Sequence, residues 1–592
     1  VKRRLPAVVV GLLAAGALAA TPAPARAAGR LAPCAANGLL CGTVTVPLDY
    51  SGAAPGQLSL YVEELPAQGF PRGVIFLLAG GPGQASAETF DLAQQGSLWQ
   101  AIFPGYTLVA YDDRGSGRSG ALDCSGAPSV AACAEAIGPN RVFYATRDHA
   151  EDVESVRQAL GFDRIGLYGG SYGTKQAMAY ALAHPDHVER LVLDSVLPPE
   201  GPDPLGTSFL HAIPLALDSI CHDGGCRAIS RDPAGDLARL ADRGSGSTSL
   251  LKLMIDSDID LGVGPELPGA VGAALAGRPL ALKRLTALDQ SWITPLFADI
   301  NVGLELATAC NDGPFPWVAT APPGDRAAGI QSAVADLAAG SLGLFGSWAT
   351  RIGNAWVCET WPAPTGQASL AAGPLPDVPV LVLEGDRDVR TPLAGGATVA
   401  ARFPQGRVLV VHGAGHSVLK RSSCAAEAVR SWLAGGTPPS SCPRLPSAAP
   451  VGPFPASLAA TSPLGSSRGR AGKSLAAAVT TLHEAEAAFA FLGGLSQVFG
   501  IQDGSLAPAT AGAGSVGRVR LNGYSDVSGL ALTGTLSCKP AGDVFPQSFT
   551  CVPGSLAGKL KVGGSAAAVG RLELRDGRIS GTLGGRSVSA RF

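Results

Sequence analysis

The stretch RIGLYGGSYGTKQAMAY, residues 164–180, decides how this chain folds. Its first half is a short apolar run of the kind that makes a strand covered on both faces. Its second half opens a segment with helical spacing that stops at Pro185. Between them, Ser171 stands in the pattern G-x-S-x-G. A serine on such a strand-to-helix turn is held in a strained backbone conformation, and side chains at Gly169 or Gly173 would clash with the strand or helix. Its hydroxyl sits at a helix N-terminus, where the dipole and free N–H groups favour developing negative charge. The pattern alone is weak, because 78 of the 592 residues are glycine. GSSRG at 465–469 matches it too, inside a Pro/Ser/Ala/Gly stretch with no strand before it. Context makes Ser171, not Ser467, the candidate nucleophile.

Further runs rich in Val, Ile and Leu lie on either side: TVTVPL (43–48), LSLYVEEL (58–65), GVIFLLAG (73–80), YTLVAY (106–111), ERLVLDS (189–195), VPVLVLEG (378–385) and GRVLVVHG (406–413). With a helix over 147–161 they form a βαβ series, which predicts a doubly wound, parallel α/β sheet. The series breaks near residue 200 and resumes near 376. Residues 201–375 read as a mostly helical insertion, a cap over the C-terminal ends of the strands, where open α/β sheets bind ligands. The core is expected at 28–200 and 376–446. Residues 447–472 read as a linker, and 473–592 as a helix followed by a small β-rich domain. In that helix Leu475, Val479, Leu482, Ala485 and Phe489 share one face.

With 45 basic and 47 acidic residues the net charge is −2, so no whole-protein field draws in nucleic acid. Residues 1–27 have a basic start, an apolar run and an Ala25-Arg26-Ala27 cleavage signal, which predicts export to a secreted or periplasmic location and no membrane contact beyond that signal peptide. Twelve cysteines in an exported chain predict disulfides between near neighbours: Cys34/Cys41, Cys124/Cys133, Cys221/Cys226, Cys310/Cys358, Cys424/Cys442 and Cys538/Cys551. The one local alternative is zinc in CHDGGC (221–226). No metal or cofactor is otherwise expected.

A serine hydroxyl needs a general base, and the base needs an orienting carboxylate. Of eight histidines, His412 and His416 follow the last core strand. His416 lies in a Gly-Ala-Gly-His loop that could reach the elbow, whereas His412 is expected to point into packing. The acid should follow the strand before it, where Glu384, Asp386 and Asp388 are offered; Asp388 opens the turn D-V-R-T-P, with Asp386 as its rival. Oxyanion donors are expected from the backbone N–H of Tyr172 and of Gly81, in LLAGGPGQ (77–84).

Together AGGPG (79–83), YDDRGSGRSG (111–120), GGSYGT (169–174), GDRDVRTP (385–392) and GAGHS (413–417) resemble the α/β-hydrolase family of proline iminopeptidases and secreted tripeptidyl aminopeptidases. CGTVTVPLDY (41–50), ACNDG (309–313) and GTPPSSC (436–442) are similar to the tripeptidyl branch. The resemblance covers about residues 34–445. It implies an α/β-hydrolase fold with an inserted cap, Ser171 as nucleophile, Asp388 as orienting acid, His416 as base, and Gly81 with Tyr172 as oxyanion hole. It departs at Ala79, where relatives commonly carry histidine or proline. The implied activity is release of short N-terminal peptides or residues through an acyl-enzyme, with Asp312, Glu305 or Glu359 available to bind a substrate ammonium. A carboxylesterase or lactonase with the same triad is the alternative. From another class, an inactive envelope-binding protein would use the C-terminal domain for cell-envelope contact.

Overall fold

The computed structural model describes residues 31–243, 247–256, 263–296, 299–318, 320–362, 374–465, 467–493, 495–509, 517–539, 551–552 and 554–592. The expected signal peptide, 1–27, lies outside them. A ten-stranded sheet is built from β1 (Ala32–Pro33), β2 (Leu40–Pro47), β3 (Gln57–Leu65), β4 (Gly73–Leu78), β5 (Tyr106–Tyr111), β6 (Ile165–Gly170), β7 (Val188–Asp194), β8 (Pro379–Gly385), β9 (Gln405–Val411) and β10 (Ser441–Cys442). Their order is β1-β2-β3-β5-β4-β6-β7-β8-β9-β10. From β5 to β10 every pairing is parallel.

The central strands are apolar on both faces because each face has its own core. Ile75 and Leu77 pack with Trp99 and Tyr168 on one side. Phe76 and Leu78 pack with Leu167 and Met178 on the other. The expectation of parallel strands fails at one edge, where β1, β2 and β3 are antiparallel. Val44 and Val46 are buried while Thr43 and Thr45 are exposed. That alternation marks a half-covered antiparallel edge, and it is visible in TVTV. The loop after β5 is locked by Arg114, which is buried and forks onto Asp152 at 2.7 Å while donating to the carbonyls of Leu48 and Phe143.

The insertion leaves β7 and re-enters at its neighbour β8, and it is helical as expected, with helices such as Thr207–Ile220, Val263–Leu275, Leu280–Leu296 and Val302–Asp312. The C-terminal unit holds the helix Gly469–Ala488 and an antiparallel meander of β11 (Val498–Phe499), β12 (Asp503–Pro508), β13 (Arg518–Ser525), β14 (Ala531–Ser537), β15 (Ala557–Gly563), β16 (Gly570–Arg575), β17 (Arg578–Leu583) and β18 (Arg586–Arg591). Among the described residues this helix region, 469–492, is the one stretch long and apolar enough to cross a bilayer. Leu475 and Leu482 are nevertheless fully buried in protein.

The insertion and the C-terminal unit share one core, in which Ile213, Leu251 and Leu285 join Leu475, Leu521 and Leu560. Arg284 of the insertion pairs with Glu266 and reaches Glu484 and the Tyr524 hydroxyl of the C-terminal unit. The stretch read as a linker is part of this junction. Val451 and Phe454 are buried, and Val451 N–H donates to the Pro265 carbonyl at 2.8 Å. Composition suggested a linker, but two apolar residues facing an apolar surface outweigh it.

Each of the six near-neighbour cysteine pairs is a disulfide. Cys221–Cys226 is one of them, so these sulfurs are not thiolates and the zinc alternative is excluded.

Candidate active site

Ser171 follows β6 and caps the helix Tyr172–Ala183 with φ 55° and ψ −119°, a region that residues with side chains rarely adopt. The turn is tight enough to demand its glycines. A Cβ on Gly169 would lie 2.3 Å from the Gly173 carbonyl oxygen, and one on Gly173 would lie 2.3 Å from that of Leu78. Ser171 N–H donates to the Asp194 carbonyl at 2.9 Å. The N–H of Tyr172, at the first helical position, has no partner within the helix.

Asp194 then does a second job, one the sequence reading missed. Its buried carboxylate accepts the N–H groups of Val418 and Leu419 and the Tyr168 hydroxyl, and Ser195 Oγ accepts the N–H of Ser417. The end of β7 thereby holds both the Ser171 elbow and the loop that carries His416. Burial raises the Asp194 carboxyl above its ordinary value despite these hydrogen bonds. An acid closing the apolar run LVLD was the available signal.

His416 and Asp388 meet at 2.9 Å, Nδ1 to Oδ2, with side chains 8 % and 0 % exposed. Asp388 Oδ1 also accepts the backbone N–H groups of Arg390 and Thr391, and Oδ2 accepts the Thr391 hydroxyl at 2.7 Å. Thr391 Oγ1 lies 3.1 Å from His416 Nδ1 as well, so it touches both members of the pair. Burial acts to raise the Asp388 carboxyl, but the imidazole beside it and these donors hold it below the usual range. Because Nδ1 faces a carboxylate it carries the proton, and Nε2 is left as the base.

The other two candidate acids are occupied elsewhere. Glu384 is buried, accepts Val196 N–H at 3.0 Å and is pushed well up by burial. Asp386 accepts from His412 Nδ1 at 3.1 Å, from Gly413 N–H and from Arg444. His412, expected to point into packing, is 43 % exposed: the strand ends at Val411, so its ring lies beyond the sheet.

Ser171, Tyr172, His416, Gly80 and Gly81 line one cavity of about 470 Å³, whose far wall includes Glu305 and Asp312 of the insertion. A Cβ on Gly80 would come within 3.0 Å of Ser171 Cβ, so the GGPG loop lies directly against the elbow. The insertion clamps this loop, with Asn301 N–H donating to the Gly83 carbonyl and Gln84 donating to Asp299. A second cavity of about 870 Å³ shares Phe209, Arg390 and Thr391 with the first and takes in Asp386 and Asp388.

Of the three acids offered for an ammonium group, Asp312 faces the cavity but pairs with Lys175 at 2.6 Å and accepts from Thr146. Its charge is balanced from within, through Lys175, a residue the sequence reading passed over. Thr146 Oγ1 and the fully buried His149 both contact the Tyr172 hydroxyl at 2.8 Å, and burial pushes His149 down to about 4, so it is neutral. Glu359 is not among the lining residues, whereas Glu305 is.

Residues 73–212 match the family described as alpha/beta hydrolase fold, and residues 345–442 the one described as TAP-like protein. Serine protease Hip1 of Mycobacterium tuberculosis is 26% identical over 68% of this chain and 87% of its own length. The tripeptidyl aminopeptidase of Streptomyces lividans is 29% identical over 31% of this chain and 41% of its own. The proline iminopeptidase of Neisseria gonorrhoeae is 33% identical over 23% of this chain and 36% of its own. With its parallel sheet, its strained elbow and these matches in both halves, the chain has the α/β-hydrolase fold, is similar in its second half to TAP-like proteins, and is a serine hydrolase.

Proposed function

We propose that Ser171, His416 and Asp388 are the catalytic triad of an exported peptidase that acts near the free N-terminus of short peptides. The observation that carries this reading is the buried Asp388–His416 pair opening into the same cavity as the strained Ser171. His416 Nε2 takes the Ser171 proton as Oγ attacks the carbonyl carbon, and the oxyanion is received by the N–H groups of Tyr172 and Gly81. Collapse passes the proton to the leaving amine and leaves an acyl-enzyme, which water, deprotonated by the same nitrogen, hydrolyses. Glu305, which lines the cavity with Ser171 and His416, is the acid assigned to the substrate ammonium. The peptidase names of the relatives support the substrate class. Six disulfides support an oxidising location outside the cytoplasm.

The test compares aminoacyl and tripeptidyl p-nitroanilides, with free and acetylated N-termini, against acyl p-nitrophenyl esters. Turnover of free-amine anilides, suppressed by acetylation and by Glu305→Gln, is expected. Turnover of esters alone would replace the peptidase with an esterase. Absence of fluorophosphonate labelling at Ser171 would remove the triad itself.

A further inference from the structure

The outer face of the C-terminal sheet is strongly cationic, and the reaction proposed above makes no use of it. From residue 517 onward the chain carries ten basic and four acidic residues, although the whole protein has a formal charge of −2. Strand alternation sorts these charges. Leu560, Leu572, Leu574 and Ile579 point inward and are buried. Their neighbours Lys559, Lys561, Arg571, Arg575 and Arg578 point outward and are exposed. Arg591 on β18 and Arg518 and Arg520 on β13 extend the same face.

The register sets like charges against one another. Lys561 lies opposite Arg571, Arg575 opposite Arg578, and Arg578 opposite Arg591. Across the strands Lys559 meets an acid, Glu573, and at the hairpin turn Arg575 lies 3.6 Å from the exposed carboxylate of Asp576. Directly opposed like charges on a sheet destabilise it, so folding alone does not account for this arrangement. A bound polyanion would turn that repulsion into attraction.

The chemistry between the cations narrows the partner. Thr535 and Thr533 stand in register with Lys559 and Lys561, and Thr582 with Arg571. Among the described residues of β13 to β18, no aromatic or large apolar side chain lies on the outward positions, so these strands offer no ring to stack on nucleobases and no wedge to insert into a bilayer. Guanidinium forks suit carboxylates, and hydroxyls suit sugar hydroxyls. Six strands at a spacing of about 4.8 Å make a platform about 24 Å wide, enough for several sugar units. We propose that this face docks a linear carboxylated polysaccharide, holding the hydrolase on an acidic glycan matrix.

The experiment measures binding of the full chain to immobilised polygalacturonate, beside neutral dextran, single-stranded DNA and vesicles containing anionic lipid, at about 20 mM and about 300 mM salt. Binding to polygalacturonate at low salt, lost at high salt and weakened about tenfold or more in R571E/R578E/R591E, is expected. Fluorophosphonate labelling and melting temperature of that variant should equal or exceed those of the parent, which shows that it folds. No low-salt binding, equal retention on dextran, or undiminished binding by the variant would overturn the proposal. Equal or tighter binding to DNA or vesicles would overturn it too, as would salt-sensitive self-association without polymer that the variant abolishes.

Discussion

Two aspartate–histidine pairs lie side by side at the ends of β8 and β9, and they differ in almost everything except residue type. Asp388–His416 is closed from solvent, takes four further contacts from Thr391 and Arg390, and opens into the cavity of Ser171. Asp386–His412, at nearly the same distance, has a 43 % exposed imidazole, shares its acid with Arg444 and Ser219, and does not reach that cavity. An imidazole beside a carboxylate is therefore not by itself a catalytic base. Exclusion of water, a fixed tautomer and a hydroxyl in the same cavity separate the pairs.

The two pairs should respond differently to mutation. The largest effect is expected for Ser171→Ala and His416→Ala, each costing about 10⁴ to 10⁶ in kcat with the melting temperature nearly unchanged. Asp388→Asn should cost about 10⁴, because the amide favours the wrong imidazole tautomer. The pH dependence of stability sharpens the contrast. Asp388 is held below the ordinary value of 3.8, so its contribution is complete above that pH and is lost as pH falls below it through the lowered value. Acid unfolding followed by circular dichroism should therefore be steeper in the parent than in Asp388→Asn. Thr391→Val removes one hydroxyl from a charged partner and should cost about 10-fold to 100-fold in kcat with little change in KM. The smallest effect is expected for His412→Ala and Asp386→Asn, within about threefold. A loss there as large as that at His416 would erase the distinction.

The same contrast shows how far the site was readable. The quoted motifs named both histidines and all three acids, and strand ends gave their order along the chain. What separated Asp388 from Asp386 was the turn D-V-R-T-P, whose backbone N–H groups converge on the first aspartate of that motif. Asp194 was not readable as a holder of the His416 loop, because that role depends on β7 lying between β6 and β8. Lys175 hid in the same way. It looks like a helix surface residue until the insertion brings Asp312 onto it. The segment 447–472 misled because its composition is that of a linker, while Val451 and Phe454 find an apolar surface only after folding.

The sequence by itself determined the local structure. Unbroken apolar runs of strand length specify strands covered on both faces, G-x-S-x-G at a strand end specifies a strained elbow, and closely spaced cysteines specify short covalent loops, since each depends only on neighbours along the chain. Tertiary structure alone decided that Asp194 holds the His416 loop, that Lys175 balances Asp312, and that the insertion and the C-terminal unit share a core. Those outcomes depend on residues far apart in the chain, whose approach is set by sheet order and by which apolar surfaces are left to cover one another.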